Sequence, residues 1–276
     1  MVLLQQPTVS RHQVTQGCER PDCQCLKQPM PIGPPAHQAT LGLVQANLVR
    51  EGYLLYEAAR YESALQCFDQ AVGAGHELEL ALHGRGLVYA KLYRYAAALR
   101  DFNRALRFDG DDAQLWYNHG MALSHLRRHR EAIQSFDRST QLDPNNHHAW
   151  YNRARSLRAC RCYHGALDNL NRVVDLKADC HYALSYRGII LAAMARYHEA
   201  IKSFNASLHL NDRDFNAWCG KAHAALRLND INSAIHCLYQ TLKLSPIGYQ
   251  QIVHNRREFD AIRSDQRFID LVADLA

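Results

Sequence analysis

Ala113-Gln114-Leu115-Trp116-Tyr117-Asn118-His119-Gly120 and, 34 residues later, His147-His148-Ala149-Trp150-Tyr151-Asn152-Arg153-Ala154 carry one pattern: Trp-Tyr-Asn at the fourth to sixth places and a small residue at the eighth. Stepping outward by the same 34 residues gives frames that begin at Gln45, Glu79, Ala113, His147, His181 and Phe215, with no insertion needed. Alanine stands at the twentieth place of each: Ala64, Ala98, Ala132, Ala166, Ala200 and Ala234. At roughly one alanine in ten residues, six matches in a row at one place arise by chance about once in a million trials, so the period is real.

Two further columns say what the period builds. The eighth place is always small (Gly52, Gly86, Gly120, Ala154, Gly188, Ala222), and four places beyond the alanine stands Phe68, Phe102, Phe136, Leu170, Phe204 or Leu238. Small residues at two places let a pair of antiparallel helices approach closely, and the large residue fills the space beside them. The fourth place holds Trp116, Trp150 and Trp218 or Leu48, Leu82 and Leu184, whose side chains are expected to pack in the core of their own hairpin. Asp143-Pro144-Asn145-Asn146 reads as a helix stop followed by a polar cap, and Ser245-Pro246 repeats the stop.

These columns resemble the tetratricopeptide-repeat family, whose pattern has Trp, Leu-Gly, Tyr, Ala, Phe and Pro at these places. The resemblance covers about four fifths of the chain. It implies an all-α fold, a right-handed superhelical solenoid of six helix-turn-helix repeats (45–78, 79–112, 113–146, 147–180, 181–214, 215–248), closed by a C-terminal capping helical segment at 249–276. Departures fall at the seventh place, usually Leu in the family but here Glu51, Arg85, His119, Arg153, Arg187 and Lys221. The terminal proline is absent from four frames, which lowers the expected rigidity of the turns after Ala74, Phe108, Leu176 and Leu210. In the cap, Phe268, Ile269, Leu271, Val272 and Leu275 keep an apolar helical spacing.

Residues 1–44 are different in kind. Six of the chain's eight prolines fall there, so this segment is expected to be without ordered structure. No run of about 18 apolar residues exists, and the opening Met-Val-Leu-Leu is too short for a secretory signal. Nine cysteines without regular spacing do not make a disulfide framework, which points to reduced thiols and the cytoplasm. A balance of 32 Lys and Arg against 27 Asp and Glu leaves a formal charge of +5, mild beside a dedicated nucleic-acid domain.

In the family the first helices line a concave groove, and function is sought there. Helical spacing selects the second, fifth, sixth, ninth, twelfth and thirteenth places as groove-facing, because the fourth, eighth and eleventh hold packing residues. Its tyrosines are Tyr53, Tyr56, Tyr117, Tyr151, Tyr182 and Tyr186. The cations are Arg50, Lys91, Arg155, Arg158 and Arg227, the histidines His83, His125, His148 and His223, and the one acid Glu57. Tyrosine and arginine are enriched where proteins bind proteins. The fourth repeat is the expected centre: His148, Tyr151, Arg155 and Arg158 form one stripe at spacings of three and four. Asn152 continues an amide row begun by Asn118, as in family members that hold extended peptides by the backbone. Tyr117 and Met121 flank the stripe on one side, Tyr182 and Tyr186 on the other, an arrangement suited to an acidic, extended segment of a protein partner.

Other chemistry finds little support. The chaperone-binding carboxylate clamp needs Lys and Asn on one first helix, Asn on the next, and Lys and Arg on the third. Repeats two to four offer His83, Leu87, Asn118, His148 and Asn152, so the clamp is absent. No catalytic or nucleotide-binding fingerprint occurs, so neither an enzyme, a small-molecule substrate nor a cofactor is expected. Cys160, Cys162 and His164 lack a fourth metal ligand, and Cys18, Cys23 and Cys25, even with His12 or His37, lack paired CxxC knuckles. A protein-interaction scaffold or assembly factor is the favoured reading. The runner-up is an RNA-binding helical repeat, carried by the basic tyrosine-rich groove and opposed by the modest net charge and the absence of a regular base-reading pair per repeat.

Overall fold

The structure, a computed structural model, describes residues 48–75, 77–244 and 262–273, all within the unit Gly42–Ala276. The segment 1–44, the cysteine group Cys18, Cys23 and Cys25, the stop at Ser245-Pro246, the whole expected cap before Ile262, Leu275 and the side chains of Leu271 and Val272 lie outside the described residues. Every regular element among the described residues is helical. Helix α1 covers residues 48–57 as far as described. It is followed by α2 (Tyr61–Ala74), α3 (Leu78–Lys91), α4 (Tyr95–Ala105), α5 (Ala113–His125) and α6 (His129–Leu142). Then come α7 (His147–Ala159), α8 (Tyr163–Leu176), α9 (His181–Ala193), α10 (Tyr197–Leu210), α11 (Phe215–Arg227), α12 (Ile231–Leu244) and α13 (Gln266–Ala273). Each odd helix from α3 to α11 packs on the even helix after it and on the one before it, and α3–α5, α5–α7 and α9–α11 also touch. The first helices therefore share one face, as a solenoid requires.

The columns of small and large residues interlock. Phe68, Phe102, Phe136 and Phe204 are fully buried, each against the eighth-place glycine of its own hairpin. A Cβ on Gly120 would stand 2.8 Å from the Phe136 ring, and one on Gly86 2.4 Å from Phe102. In the fourth and sixth repeats the glycine becomes Ala154 or Ala222, and there the partner shrinks to Leu170 or Leu238. Volume is conserved pair by pair, which is what a close-packed interior demands.

Each hairpin turns the same way. Ala59, Tyr93, Arg127, Arg161, Ala195 and Asn229 adopt left-handed backbone (φ 56 to 62°). The next N–H then closes on a carbonyl five residues back, for example Arg94 N to Tyr89 O at 2.8 Å and Arg128 N to Leu123 O at 2.9 Å. This is the Schellman closure that satisfies the last helical carbonyls. Between hairpins, Asp112 and Asp214 cap α5 and α11 by accepting two backbone N–H bonds each, and Asn146 caps α7. The tryptophans tie down these turns as well as packing: Trp116, Trp150 and Trp218 Nε1 donate to the carbonyls of Gly110, Pro144 and Asp212 at 2.8, 2.9 and 2.7 Å.

Four of the six seventh-place departures, Arg85, His119, Arg153 and Arg187, form a polar ladder between second helices of successive repeats. Arg85 donates to both oxygens of buried Asp101 (2.7 and 2.8 Å) and to Asp69 on the preceding second helix (2.8 Å). Arg153 pairs with Asp137 and donates to Asn169 at 2.9 Å, and Arg187 reaches Ser203 at 3.2 Å and Asn171 at 3.4 Å. His119 does the same with a neutral ring: Nε2 lies 3.1 Å from Asn103 Oδ1 and Nδ1 2.8 Å from the Ser135 hydroxyl, which also reaches Glu131 O at 3.1 Å. Burial drives its pKa down to about 4. At the C-terminal end, Ile262 and Phe268 bury against Cys219, Ala222, Leu238 and Leu242, covering the sixth repeat, while Ile269 stays exposed.

Candidate functional site

The groove face of α5, α7 and α9 brings most of the expected residues together. Asn152 is buried and its amide is engaged: Nδ2 donates to Tyr117 Oη at 3.1 Å and to His148 O at 3.0 Å, while Oδ1 accepts from Arg155 Nη1 at 3.2 Å. It holds Tyr117 and Arg155 in place. Asn118, one repeat earlier, has the same neighbour in register. Its amide meets His83 Nε2 at 3.0 Å and accepts from Gln114 at 3.3 Å. Burial lowers the His83 pKa against the opposing pull of Asp112, so the ring is neutral and Nε2 accepts the Asn118 proton.

Beyond Arg155 lies an aromatic wall. Tyr151 meets Tyr182 edge-on with centroids 4.9 Å apart and Tyr186 at 5.6 Å. Arg158 lies 5.6 Å over the Tyr186 ring. Burial raises the pKa of Tyr117 and of Tyr151, with Arg155 pulling the other way, and burial raises that of Tyr182. These hydroxyls therefore remain protonated donors at neutral pH. Arg155 and Arg158 themselves are exposed, and among the described residues no carboxylate lies within 4.0 Å of either. Two guanidinium groups without a carboxylate partner thus stand one helical turn apart on a tyrosine-lined face, a charge and geometry that suit an anion.

Two of the expected residues look elsewhere. Met121 and Asn118, with Tyr117, line a cavity of about 250 Å³ that faces the second repeat, shared with Tyr56, Leu87 and Tyr95. Beside it His125 stacks parallel on Tyr95 with centroids 4.2 Å apart. His148 stands exposed at the opposite end, its ring 4.0 Å from that of His147, and contributes its carbonyl rather than its imidazole. Leu87 was weighed from sequence only as a position where the carboxylate clamp fails, and Tyr95 was not singled out. Tyr95 belongs to a second helix, and the signal for it was the seventeenth place, tyrosine in four of the six frames (Tyr61, Tyr95, Tyr163, Tyr197).

Among the described residues no group of three His, Cys, Asp or Glu side chains is gathered as a metal site, and no helix is long and apolar enough to cross a membrane. Family models described as tetratricopeptide repeat match residues 49–113, 83–147 and 117–161, and a second one matches 215–247, together more than half of the chain. No curated protein matches. Among solved structures, a tetratricopeptide repeat protein from Parabacteroides merdae superposes with a TM-score of 0.68 at 15% identity, over 84% of this chain and 91% of that one. MamA protein gives 0.58 at 16% identity, over 65% and 97%. YrrB, described as a TPR protein with an unusual peptide-binding site, gives 0.56 at 19% identity, over 65% and 93%. At these identities the likeness is one of fold.

Proposed function

We propose, from the premise that this chain belongs to the tetratricopeptide-repeat family, that it is a non-catalytic scaffold or assembly factor of the cytoplasm whose groove binds an extended, acidic segment of a partner protein. The observation that carries this reading is the pair Arg155 and Arg158, exposed and without a carboxylate partner among the described residues. Unliganded, the two cations repel each other. An arriving carboxylate relieves that repulsion and accepts charge-assisted hydrogen bonds worth about 2 kcal/mol each. Tyr151, Tyr182 and Tyr186 supply flat contact area with little side-chain entropy to lose. Asn152 acts through its neighbours: held by Tyr117 and the His148 carbonyl, it fixes the Arg155 guanidinium.

Selection of the full chain against a random linear peptide library tests the reading. The expected result is strong enrichment of peptides with paired Asp or Glu, lost when Arg155→Glu and Arg158→Glu are combined. Peptides recovered without acidic enrichment, or recovered equally by the double variant, overturn it.

A further inference from the structure

Helix reversal puts all hairpin turns at one end of the helices and all turns between hairpins at the other, and the two ends carry opposite charge. The hairpin turns of the second to fourth repeats expose Lys91, Arg94, Arg127, Arg128, Arg130, Arg158 and Arg161. The acid beside them, Glu131, is held by Arg128 through Nε at 2.7 Å and Nη2 at 2.5 Å. Among the described residues no carboxylate lies within 4.0 Å of Arg94, Arg127, Arg130 or Arg161. The opposite end carries Glu77, Glu79, Asp109, Asp111, Asp112, Asp143, Asp179, Asp212 and Asp214 against Arg107, Lys177 and Arg213 in the same turns. A formal charge of +5 therefore averages a basic edge and an acidic edge, and says little about either.

We infer that the hairpin-turn edge of repeats two to four, which meets the groove rim at Lys91 and Arg158 and is centred on Arg94, Arg127, Arg128, Arg130 and Arg161, is a second binding surface for the phosphodiester backbone of single-stranded nucleic acid. Six of its seven cations are arginines, whose planar forks match phosphate oxygens two at a time. Between the third and fourth turns the edge is indented by an open cleft of about 760 Å³ lined by Arg127, Arg128, Arg130 and Glu131 on one side and by Ala159, Cys160 and Cys162 on the other. Tyr93, 81% exposed and edge-on to Tyr95 at 6.3 Å, offers an aromatic face on which a base can stack. A bilayer is the poorer fit. An indented edge lies badly on a flat surface, and of the exposed large apolar side chains only Tyr93 belongs to these three turns.

The backbone supplies a clean test. Arg127 and Arg161 sit at φ 60° and 62°, a conformation glycine adopts without strain, so Arg127→Gly and Arg161→Gly remove two cations while easing the fold. Anisotropy of a labelled 20-nucleotide oligouridylate, titrated with full-length protein from 25 to 200 mM salt, should give a log–log salt slope of about −3, the release expected for four phosphate contacts on a single strand. The double glycine variant should roughly halve that slope with melting temperature unchanged or raised, and Arg155→Glu in the groove should leave the oligonucleotide affinity near wild type. Three results overturn the inference: no oligonucleotide binding at 25 mM salt; binding untouched by the glycine variant; or preference for phosphatidylglycerol vesicles or polyglutamate over the oligonucleotide at matched charge.

Discussion

Arg153 and Arg155 lie two residues apart on α7 and live opposite lives. Arg153 is half-buried on the ladder between second helices, paired with Asp137, donating to Asn169 and lying 5.9 Å over the Trp150 ring. Arg155 stands in the groove with an amide and tyrosines around it and no carboxylate within reach among the described residues. The lesson is that place in the repeat, not residue type, decides the role. The seventh-place arginines hold neighbouring repeats together, whereas Arg155 and Arg158, at the ninth and twelfth places, have no carboxylate partner among the described residues.

The ladder breaks most severely where its partner is most buried. Arg85→Ala strips the buried Asp101 carboxylate of its guanidinium, and a loss of about 4 kcal/mol is expected in denaturant unfolding. Arg155→Ala should change stability by less than about 0.5 kcal/mol. Equal losses from the two substitutions would erase the distinction.

The one ladder position that titrates comes next. His119 has a folded-state pKa near 4, below its ordinary value of 6.5, so the unfolded chain binds the proton first. The neutral His119 contribution is whole above pH 6.5 and is lost as pH falls toward 4, by about 3 kcal/mol at most. His119→Arg, which recreates the Ser and Asn environment of Arg187, should flatten that part of the stability–pH curve. If wild type and variant show the same pH dependence between 4 and 6.5, the ladder role of His119 is wrong.

A smaller effect sharpens the packing side. Gly120→Ala pushes a Cβ to 2.8 Å from the Phe136 ring and should cost about 2 kcal/mol. Adding Phe136→Leu rebuilds the Ala154–Leu170 pairing of the fourth repeat and should recover most of that loss, a coupling read directly from a double-mutant cycle. Additive losses would mean the two columns do not interlock.

The smallest expected stability change belongs to the groove pair. Arg155→Glu with Arg158→Glu strips no buried charge of its partner and takes one 3.2 Å donor from Asn152 Oδ1, so the unfolding free energy should fall by no more than about 1 kcal/mol while acidic-peptide binding disappears.

The helical repeat was legible because its information is local: Ala64 with Phe68, or Gly120 with Phe136, are contacts within one hairpin that recur every 34 residues. The ladder was not. Arg85, Arg153 and Arg187 read as departures from a leucine column because their partners stand 16 residues before and after, on two different second helices. Where the repeat lacks its terminal proline, an aspartate cap and an indole N–H close the turns before α5 and α11, contacts that a missing proline gives no sign of. In the groove, the stripe Tyr151, Arg155 and Arg158 follows from helical spacing alone. That Asn152 is already occupied by Tyr117, 35 residues away, and that Tyr95 reaches in from a second helix both depend on the curvature of the stack. Net charge concealed the two edges because a sum discards position.

Reciprocal charge reversal tests the central claim most directly. A peptide selected by the wild-type groove is measured by calorimetry against wild type and against Arg155→Glu/Arg158→Glu, both as selected and with its acidic residues changed to lysine. The account predicts a loss of roughly 100-fold or more for the acidic peptide on the reversed groove, with affinity largely restored by the lysine peptide. If the acidic peptide binds both grooves alike, the pair Arg155 and Arg158 is not the recognition site.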